Sequence, residues 1–293
     1  MAAVLEYDGS AFSGWQRQDH APSVQAAVEQ ALSRVADAPT TVVTAGRTDA
    51  GVHALAQVIH FDTGALRSAY AWVRGANSNL PDSVALLWAG EVAADFSARF
   101  SASGRQYRYV ILNRAMRPAV LARRVTHEYR PLDVERMQAA ARHLVGTHDF
   151  SSFRAMQCQA KSPVRELRRL EIRRQGDFVL IEVEANAFLH HMVRNLAGVL
   201  MTIGAGEREP DWAREVLAAR DRTVGGITAP PDGLYLEAIA YPGQFGIPAL
   251  PLQPFWALLQ SSSRQCGGRR DYAFYCNSIS GAVFGRSGRC PRT

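Results

Sequence analysis

The residues best suited to chemistry lie in the stretch AGRTDAGVHA, residues 45–54, where Asp49 stands between Arg47 and Gly51. The segments TVVT and LAQVIHFD on either side have the composition of strands, so Asp49 is predicted to lie at a bend between them. A carboxylate held in such a bend can act as a nucleophile or stabilise a positive charge. A turn aspartate can also do no more than cap backbone N–H groups, and the stretch taken alone favours this simpler interpretation.

Strand and helix patterns around this bend predict a first structural unit. VLEY near the N-terminus is strand-like, and an amphipathic helix follows in SVQAAVEQALSRVA, with Ser23 as its N-cap. The strand–turn–strand that carries Asp49 completes the unit.

A second unit of the same order begins with the strand-like RQYRYVILN. A helix in LDVERMQAAARHLVG is predicted to begin after Asp133 and to stop at Gly146, and two strands then meet at Gln175-Gly176-Asp177. In the later of these strands, FVLIEVEA, the alternation of apolar and polar residues indicates a half-buried strand. A further helix is predicted over NAFLHHMVRNLAGVLMTIG, with an apolar stripe formed by Phe188, Met192, Leu196 and Leu200.

The two strand–helix–strand–strand units predict an α+β protein with two related, ferredoxin-like or RRM-like halves. The halves would form a mostly antiparallel central sheet flanked by helices, with a cleft between them. We assign the N-terminal half to residues 1–104 and the C-terminal half to residues 105–250. Residues 251–293 show no helical or strand period and are predicted to be a disordered basic tail, with a basic accessory arm as the alternative.

Positive charge is concentrated in the middle of the chain. Residues 99–174 contain 17 basic and 6 acidic residues, whereas the net charge of the whole chain is only +6. Such a concentration favours a polyanion-binding surface, and a solvated arginine-rich face is the alternative. All but one of the basic residues are arginines, which bind phosphate through two parallel hydrogen bonds.

The sequence gives little support to membrane, secreted or metal-dependent classes. Its most apolar stretch, FLHHMVRNLAGVLMTIG, contains two histidines and Arg194, and acidic residues follow soon after the N-terminus. The four cysteines form no C-x-x-C pair. His190 and His191 are adjacent, so on the predicted helix they would point about 100° apart and could not hold one ion together. We therefore predict a reduced, cytoplasmic protein without a metal site.

Several motifs in one order resemble the tRNA pseudouridine synthase A family. They are LEYDGSAFSGWQRQ, SVQAAVEQAL, AGRTDAGVHA, NSNLPDSV, FSARFSASGRQYRYVI, RPAVL, LVGTHDFSSFRA, EANAFLHHMVRN and GLYLEAIAYP, which span roughly residues 3–250. The most specific motif is Gly-Arg-Thr-Asp-x-Gly-Val-His, followed by NAFLHHMVRN. One motif departs from the family, because Ser97 stands where Phe-His-Ala-Arg usually has its histidine.

The resemblance implies an isomerase that converts uridine to pseudouridine at positions 38, 39 and 40 in the anticodon stem-loop of tRNA. The reaction breaks the N1–C1′ bond and rejoins the uracil through C5, which requires neither redox chemistry nor phosphate energy, so no cofactor and no metal are implied. Asp49 matches the family's catalytic aspartate. Attack on the sugar, attack on the base and elimination all remain open for its carboxylate.

Three further side chains acquire roles through the resemblance. Tyr107 matches an active-site tyrosine that can stack on the target base and remove the C5 proton, although a tyrosine in a strand is also an ordinary core residue. Arg194 matches a basic residue that pairs with the catalytic aspartate, and Arg47 matches one associated with flipping the target nucleotide. A surface ion pair of little energetic value is the alternative for either arginine.

The resemblance also implies a tRNA-binding surface and a homodimer. The positions that match tRNA contacts are Arg47, Arg67, Phe96, Ser97, Ala98, Arg99, Phe100, Tyr107, Gln157, Cys158, Gln159, Ala160 and Lys161. A catalytically silent RNA-binding module with the same halves is the competing hypothesis, in which Asp49 only caps a turn. The combination of Asp49, Tyr107 and Arg194 favours the enzyme, because a binding module needs none of the three.

Overall fold

The structure, a computed structural model, describes residues 1–250, so the tail predicted at 251–293 lies outside the described residues. Its first half has the β-α-β-β-α-β order of a ferredoxin-like unit. The elements are β1 (Ala2–Tyr7), α1 (Val24–Ala36), β2 (Val43–Thr44), β3 (His53–His60), α2 (Ala69–Asn77) and β4 (Val84–Gly90). Within the sheet these strands lie in the order β4-β1-β3-β2.

The second half repeats this order with longer insertions. Its elements are β5 (Gly104–Asn113), β6 (Thr126–Glu128), α3 (Val134–Arg142), β7 (Gly146–Asp149), β8 (Val164–Gln175), β9 (Phe178–Ala185), α4 (Met192–Gly204), α5 (Trp212–Ala219) and β10 (Leu234–Ala240). The strand order β10-β5-β9-β8 corresponds to β4-β1-β3-β2 of the first half. The predicted α+β fold of two related halves is therefore confirmed.

Strand β10 joins the two halves into one sheet. It runs parallel to β3, where Tyr235 is paired with His53, and antiparallel to β5, where Leu236 is paired with Tyr107. All other neighbours along the main strand order are antiparallel. The bend that carries Asp49 immediately precedes β3, so this junction brings it close to the second half.

The predicted starts of α1 and α3 agree with the structure, but the predicted end of α3 is wrong. The side chain of Ser23 accepts a hydrogen bond from the Ala26 N–H at 3.3 Å, and that of Asp133 accepts one from the Arg136 N–H at 2.9 Å, as N-caps do. Helix α3 ends at Arg142 rather than at Gly146, which has a φ of 120° and begins β7. The helix ends early because its last turn tightens into i to i+3 hydrogen bonds.

Two other predicted patterns differ from the structure because of tertiary burial. Strand β9 is buried on both faces rather than one, since it lies inside the sheet. On its second face, Glu182 is almost fully buried and pairs with Arg108 at 2.9 Å and with Arg169 at 3.2 Å. Helix α4 begins only at Met192 and is buried nearly all round, so its predicted single apolar stripe is incomplete.

The main hydrophobic core lies between the sheet and the helices and is continuous across both halves. Strand β1 contributes Leu5, helix α1 contributes Leu32, and helix α4 contributes Leu196 to this one cluster. Two smaller clusters occupy the opposite face of the sheet. Among residues 1–250, the helices are all too short or too polar to cross a membrane.

Candidate active site

The loop that carries Asp49 lies between β2 and β3 and is fixed from neighbouring segments. The Trp15 N–H donates a hydrogen bond to the carbonyl oxygen of Thr48 at 3.0 Å, and the Thr48 hydroxyl lies 2.8 Å from the Tyr7 hydroxyl. Burial raises the pKa of Tyr7 to about 12, so its hydroxyl remains protonated and available for this hydrogen bond. The residue directly before Asp49 is therefore held on both its backbone and its side chain.

Gly14 allows the segment before α1 to approach the backbone of this loop. Its φ is 97°, and a Cβ at this position would lie 2.8 Å from the Thr48 carbonyl oxygen and 3.1 Å from the carbonyl carbon of Asp49. Only glycine tolerates both this conformation and this proximity. The position of Asp49 thus depends on a residue 35 places earlier in the chain.

Arg194 lies in the first turn of α4 and reaches Asp49 from the second half. Its Nη1 lies 3.3 Å from Oδ2 of Asp49, and its Nε donates a hydrogen bond to the Ala229 carbonyl oxygen at 2.8 Å. Both charged side chains are mostly shielded, with 22% of Asp49 and 15% of Arg194 exposed. A guanidinium with its direction set by a carbonyl group orients the carboxylate through a charge-assisted contact.

His190 and His191 also face Asp49, contrary to the sequence-based prediction. Nε2 of His190 lies 3.2 Å from Oδ1, and Nε2 of His191 lies 3.4 Å from Oδ2. The prediction assumed that both residues lie in a helix, but α4 begins after them and His191 has a left-handed backbone with a φ of 62°. Burial lowers the pKa of His191, although the nearby Asp49 opposes this shift.

Tyr107 lies on β5 beside the same loop. Its ring is 5.0 Å from that of Phe188 in an edge-to-face arrangement, and a Cβ on Gly46 would lie 3.9 Å from its hydroxyl oxygen. Burial raises the pKa of Tyr107, and the charge of Asp49 raises it further. The structure therefore brings together Asp49, Tyr107 and Arg194, although Asp49 and Arg194 are 145 residues apart in the sequence.

Arg105 was missed by the sequence-based prediction, although it connects three parts of the site. Its guanidinium donates hydrogen bonds to the carbonyl oxygens of Ala45 at 3.1 Å, Arg99 at 2.9 Å and Asn186 at 3.0 Å. These carbonyls belong to the Asp49 loop, the predicted RNA-binding stretch 96–100 and the segment that leads to His190. Its place within the strand motif RQYRYV gave no local signal of this function.

The stretch 96–100 divides into buried and exposed residues. Phe96 and Ala98 are buried in a small cluster on the face of the sheet away from the helices, and the Ala98 carbonyl accepts a hydrogen bond from the Tyr241 hydroxyl at 2.6 Å. Ser97 is half-buried, and its hydroxyl accepts a hydrogen bond from the Phe100 N–H. Arg99 and Phe100 are exposed, and the guanidinium lies 5.2 Å from the ring centre.

The other predicted tRNA-binding positions lie on exposed loops. Arg47 and Arg67 are exposed, the first two residues before Asp49 and the second before α2. In the loop 157–161 the exposed residues are Gln157, Gln159 and Lys161, and the half-buried ones are Cys158 and Ala160. The sulfur of Cys158 accepts a hydrogen bond from the His190 N–H at 3.4 Å, which places this loop beside the Asp49 site.

Part of the basic middle region is neutralised within the fold. Arg108, Arg169 and Arg173 all form ion pairs with the buried Glu182, which lies outside the stretch 99–174. The charge count along the sequence therefore overstates the positive charge of the surface, and the polyanion-binding surface rests on the exposed arginines that remain.

Comparisons with known proteins show the family of this chain. A family model described as tRNA pseudouridine synthase matches residues 3–101 and 140–242. The tRNA pseudouridine synthase A of Nitrosococcus oceani is 62% identical over 250 residues, which cover 85% of this chain and 96% of that protein. Its namesakes in Coxiella burnetii and Pseudomonas aeruginosa are each 56% identical, over 87% of this chain and over 98% and 90% of their own lengths. The chain belongs to the tRNA pseudouridine synthase family.

Proposed function

We propose that this protein isomerises uridine to pseudouridine at positions 38, 39 and 40 of the tRNA anticodon stem-loop, with Asp49 as the acting carboxylate and without a cofactor. The observation that carries the proposal is the contact of 3.3 Å between Asp49 and Arg194, which joins the signature loop of one half to the α4 helix of the other beside Tyr107. Membership of the tRNA pseudouridine synthase family supports the reaction class.

The geometry of the site suits an ionised aspartate. When the N1–C1′ bond breaks, positive charge develops on the ribose, and a carboxylate can neutralise it, add to C1′ or remove a proton. Arg194 balances the charge of Asp49 and keeps it aimed, and the loop hydrogen bonds to Thr48 limit its movement. Such preorganisation removes the need to reorder the carboxylate during the reaction.

Tyr107 is best assigned to stacking. Because burial raises its pKa, its hydroxyl stays protonated near neutral pH and is a poor base for the C5 proton. Its aromatic ring, held against Phe188, offers a rigid surface for a uracil that has left the RNA stack.

We assign tRNA binding to the exposed members of the predicted set. Arg47 lies beside the site and could fill the space left by a flipped nucleotide. Arg99 and Phe100 offer a phosphate-binding cation and a stacking ring, and Arg67 and Lys161 add positive charge. Phe96 and Ala98 do not contact tRNA in this proposal. Their buried side chains hold the stretch 96–100 in place.

The catalytic cleft, the oligomeric state and the cellular location complete the proposal. The two halves, residues 1–104 and 105–250, form the catalytic cleft at their junction, as the matching strand orders support. The active protein is a homodimer and acts in the cytoplasm, as the family resemblance implies. Light scattering coupled to gel filtration tests the dimer, and a monomeric mass at enzymatically active concentrations contradicts it.

The test of the catalytic assignment is tritium release from tRNA that contains [5-³H]uridine. Asp49→Asn keeps the size of the side chain but removes its charge, so we expect no release and nearly unchanged tRNA affinity. Asp82→Asn, at an exposed position on the loop before β4, is the matched control and should behave like the wild type. Turnover of Asp49→Asn above about a tenth of the wild-type rate rejects the assignment. A folded wild-type protein that binds tRNA without releasing tritium supports the RNA-binding module instead.

A further inference from the structure

The side chains around the candidate catalytic carboxylate include a set of potential metal ligands. In residues 1–250, Asp49, His190 and His191 are the one group of three acidic, histidine or cysteine side chains whose ligand atoms all lie within 4.8 Å of one another. We propose that these three residues form a binding site for a divalent ion of the zinc class, and that this ion inhibits the enzyme by occupying Asp49.

The distances within this group suit a single small ion. Zinc with four ligands at about 2.0–2.1 Å in a tetrahedron places neighbouring ligand atoms about 3.3 Å apart. Nε2 of His190 lies 3.2 Å from Oδ1 of Asp49, and Nε2 of His191 lies 3.4 Å from Oδ2. The two imidazole rings are adjacent, with 4.0 Å between their centres, and one ligand atom from each of the three residues lies within 4.8 Å of the other two.

The surroundings explain both how an ion could bind and why binding should be modest. With Oδ1 of Asp49 on the ion, Arg194 can keep its contact with Oδ2, as groups outside the coordination sphere commonly do for a carboxylate ligand. The side chains of His190 and His191 are 39% and 29% exposed, which leaves room for entry and for a water as fourth ligand. The positive charge of Arg194 opposes any cation here.

The type of ligand determines which ions should bind. Two imidazoles and one carboxylate favour Zn²⁺, Ni²⁺ and Cu²⁺, whereas Mg²⁺ and Ca²⁺ prefer sites made of oxygen atoms. The Mg²⁺ that accompanies folded tRNA should therefore leave Asp49 free. Inhibition by the zinc-class ions follows from the proposed function, because the same carboxylate cannot hold an ion and act on the ribose.

Metal binding without RNA tests the site independently of catalysis. Calorimetric titration of the full chain with Ni²⁺ or Zn²⁺ should show a site whose affinity falls more than about 10-fold in His190→Gln, His191→Gln and Asp49→Asn. His143→Gln is the matched control, since His143 lies 3.2 Å from Asp211 in an ion pair away from Asp49 and its replacement should leave the affinity unchanged. The cysteines are present in every variant, so thiol binding cancels from the comparison.

The inference is overturned if the three variants, each with a melting curve that shows it to be folded, bind the ions as tightly as the wild type does. Tritium release then tests the consequence: Zn²⁺ should inhibit the wild type and His143→Gln equally, a chelator should restore turnover, and Mg²⁺ should not inhibit. Release that is insensitive to Zn²⁺ at saturating occupancy of the site rejects inhibition. Failure of the proposed function is a separate result, because it appears as turnover by Asp49→Asn whatever the metal titration shows.

Discussion

Replacing Gly14 with alanine should impair catalysis although Gly14 contributes no functional group. The new Cβ would lie 2.8 Å from the Thr48 carbonyl oxygen, whereas ordinary contacts of this kind begin at 3.4 Å. The loop or its neighbour must therefore shift by about 0.6 Å, and the residue that follows Thr48 is Asp49. Misplacing a catalytic group by about 1 Å can cost about 10²-fold in rate, so we expect turnover to fall about 10- to 100-fold.

The same substitution has a stability cost that must be separated from the effect on the loop. An alanine at a φ of 97° is strained by about 1–2 kcal/mol, and the forced contact adds about 1–3 kcal/mol. Gly206→Ala is the matched control, because Gly206 also has a positive φ of 79° but has nothing within 4 Å of the added Cβ. It should share the strain and keep wild-type turnover.

The assay is single-turnover tritium release at saturating enzyme, together with thermal melting of both variants. We expect Gly14→Ala to be slower than Gly206→Ala at a temperature where both are fully folded, with similar tRNA affinities. Equal single-turnover rates for the two variants would refute the claim that Gly14 positions Asp49.

Three other predictions follow from the contacts of particular side chains. Arg194→Leu should lower the single-turnover rate by about 10²-fold and the tRNA affinity much less, because the guanidinium of Arg194 contacts Asp49. A weaker tRNA affinity with an unchanged single-turnover rate would make Arg194 a phosphate contact instead. Burial lowers the pKa of His53 below its ordinary value of 6.5, so at mildly acidic pH the unfolded chain binds a proton that the folded chain does not. The free energy of unfolding should therefore fall as the pH drops below about 6.5. A free energy of unfolding from urea titrations that stays constant between about pH 7.5 and 5.5 contradicts this prediction. Phe100→Ala should weaken tRNA binding by about 1–3 kcal/mol without changing the melting temperature, since the ring of Phe100 is exposed. Met116→Ala, at another exposed position, is the control, and equal tRNA affinities of the two variants rule out a stacking role for Phe100.

The local sequence was sufficient to predict most elements and their order. The apolar periodicity of α1 and α3 and their N-caps, Ser23 and Asp133, depend only on residues within a few positions of one another. The repeated order of strands and helices predicted the two related halves. The signature around Asp49 predicted the loop of the candidate site, because the residues of this motif are contiguous in the sequence.

Tertiary structure decided which distant residues meet at that loop. Helix propensity placed His190 and His191 inside α4, but the chain adopts a left-handed conformation at His191, and both rings turn toward Asp49. Arg105 looks like any strand residue, and its role depends on carbonyl groups from three separate segments. Strand β10 lies between β3 and β5 and sets the register between the two halves. This register brings Asp49 of the first half into contact with Arg194 of the second. Such contacts depend on strand order and long-range packing, and no periodicity along the chain encodes them.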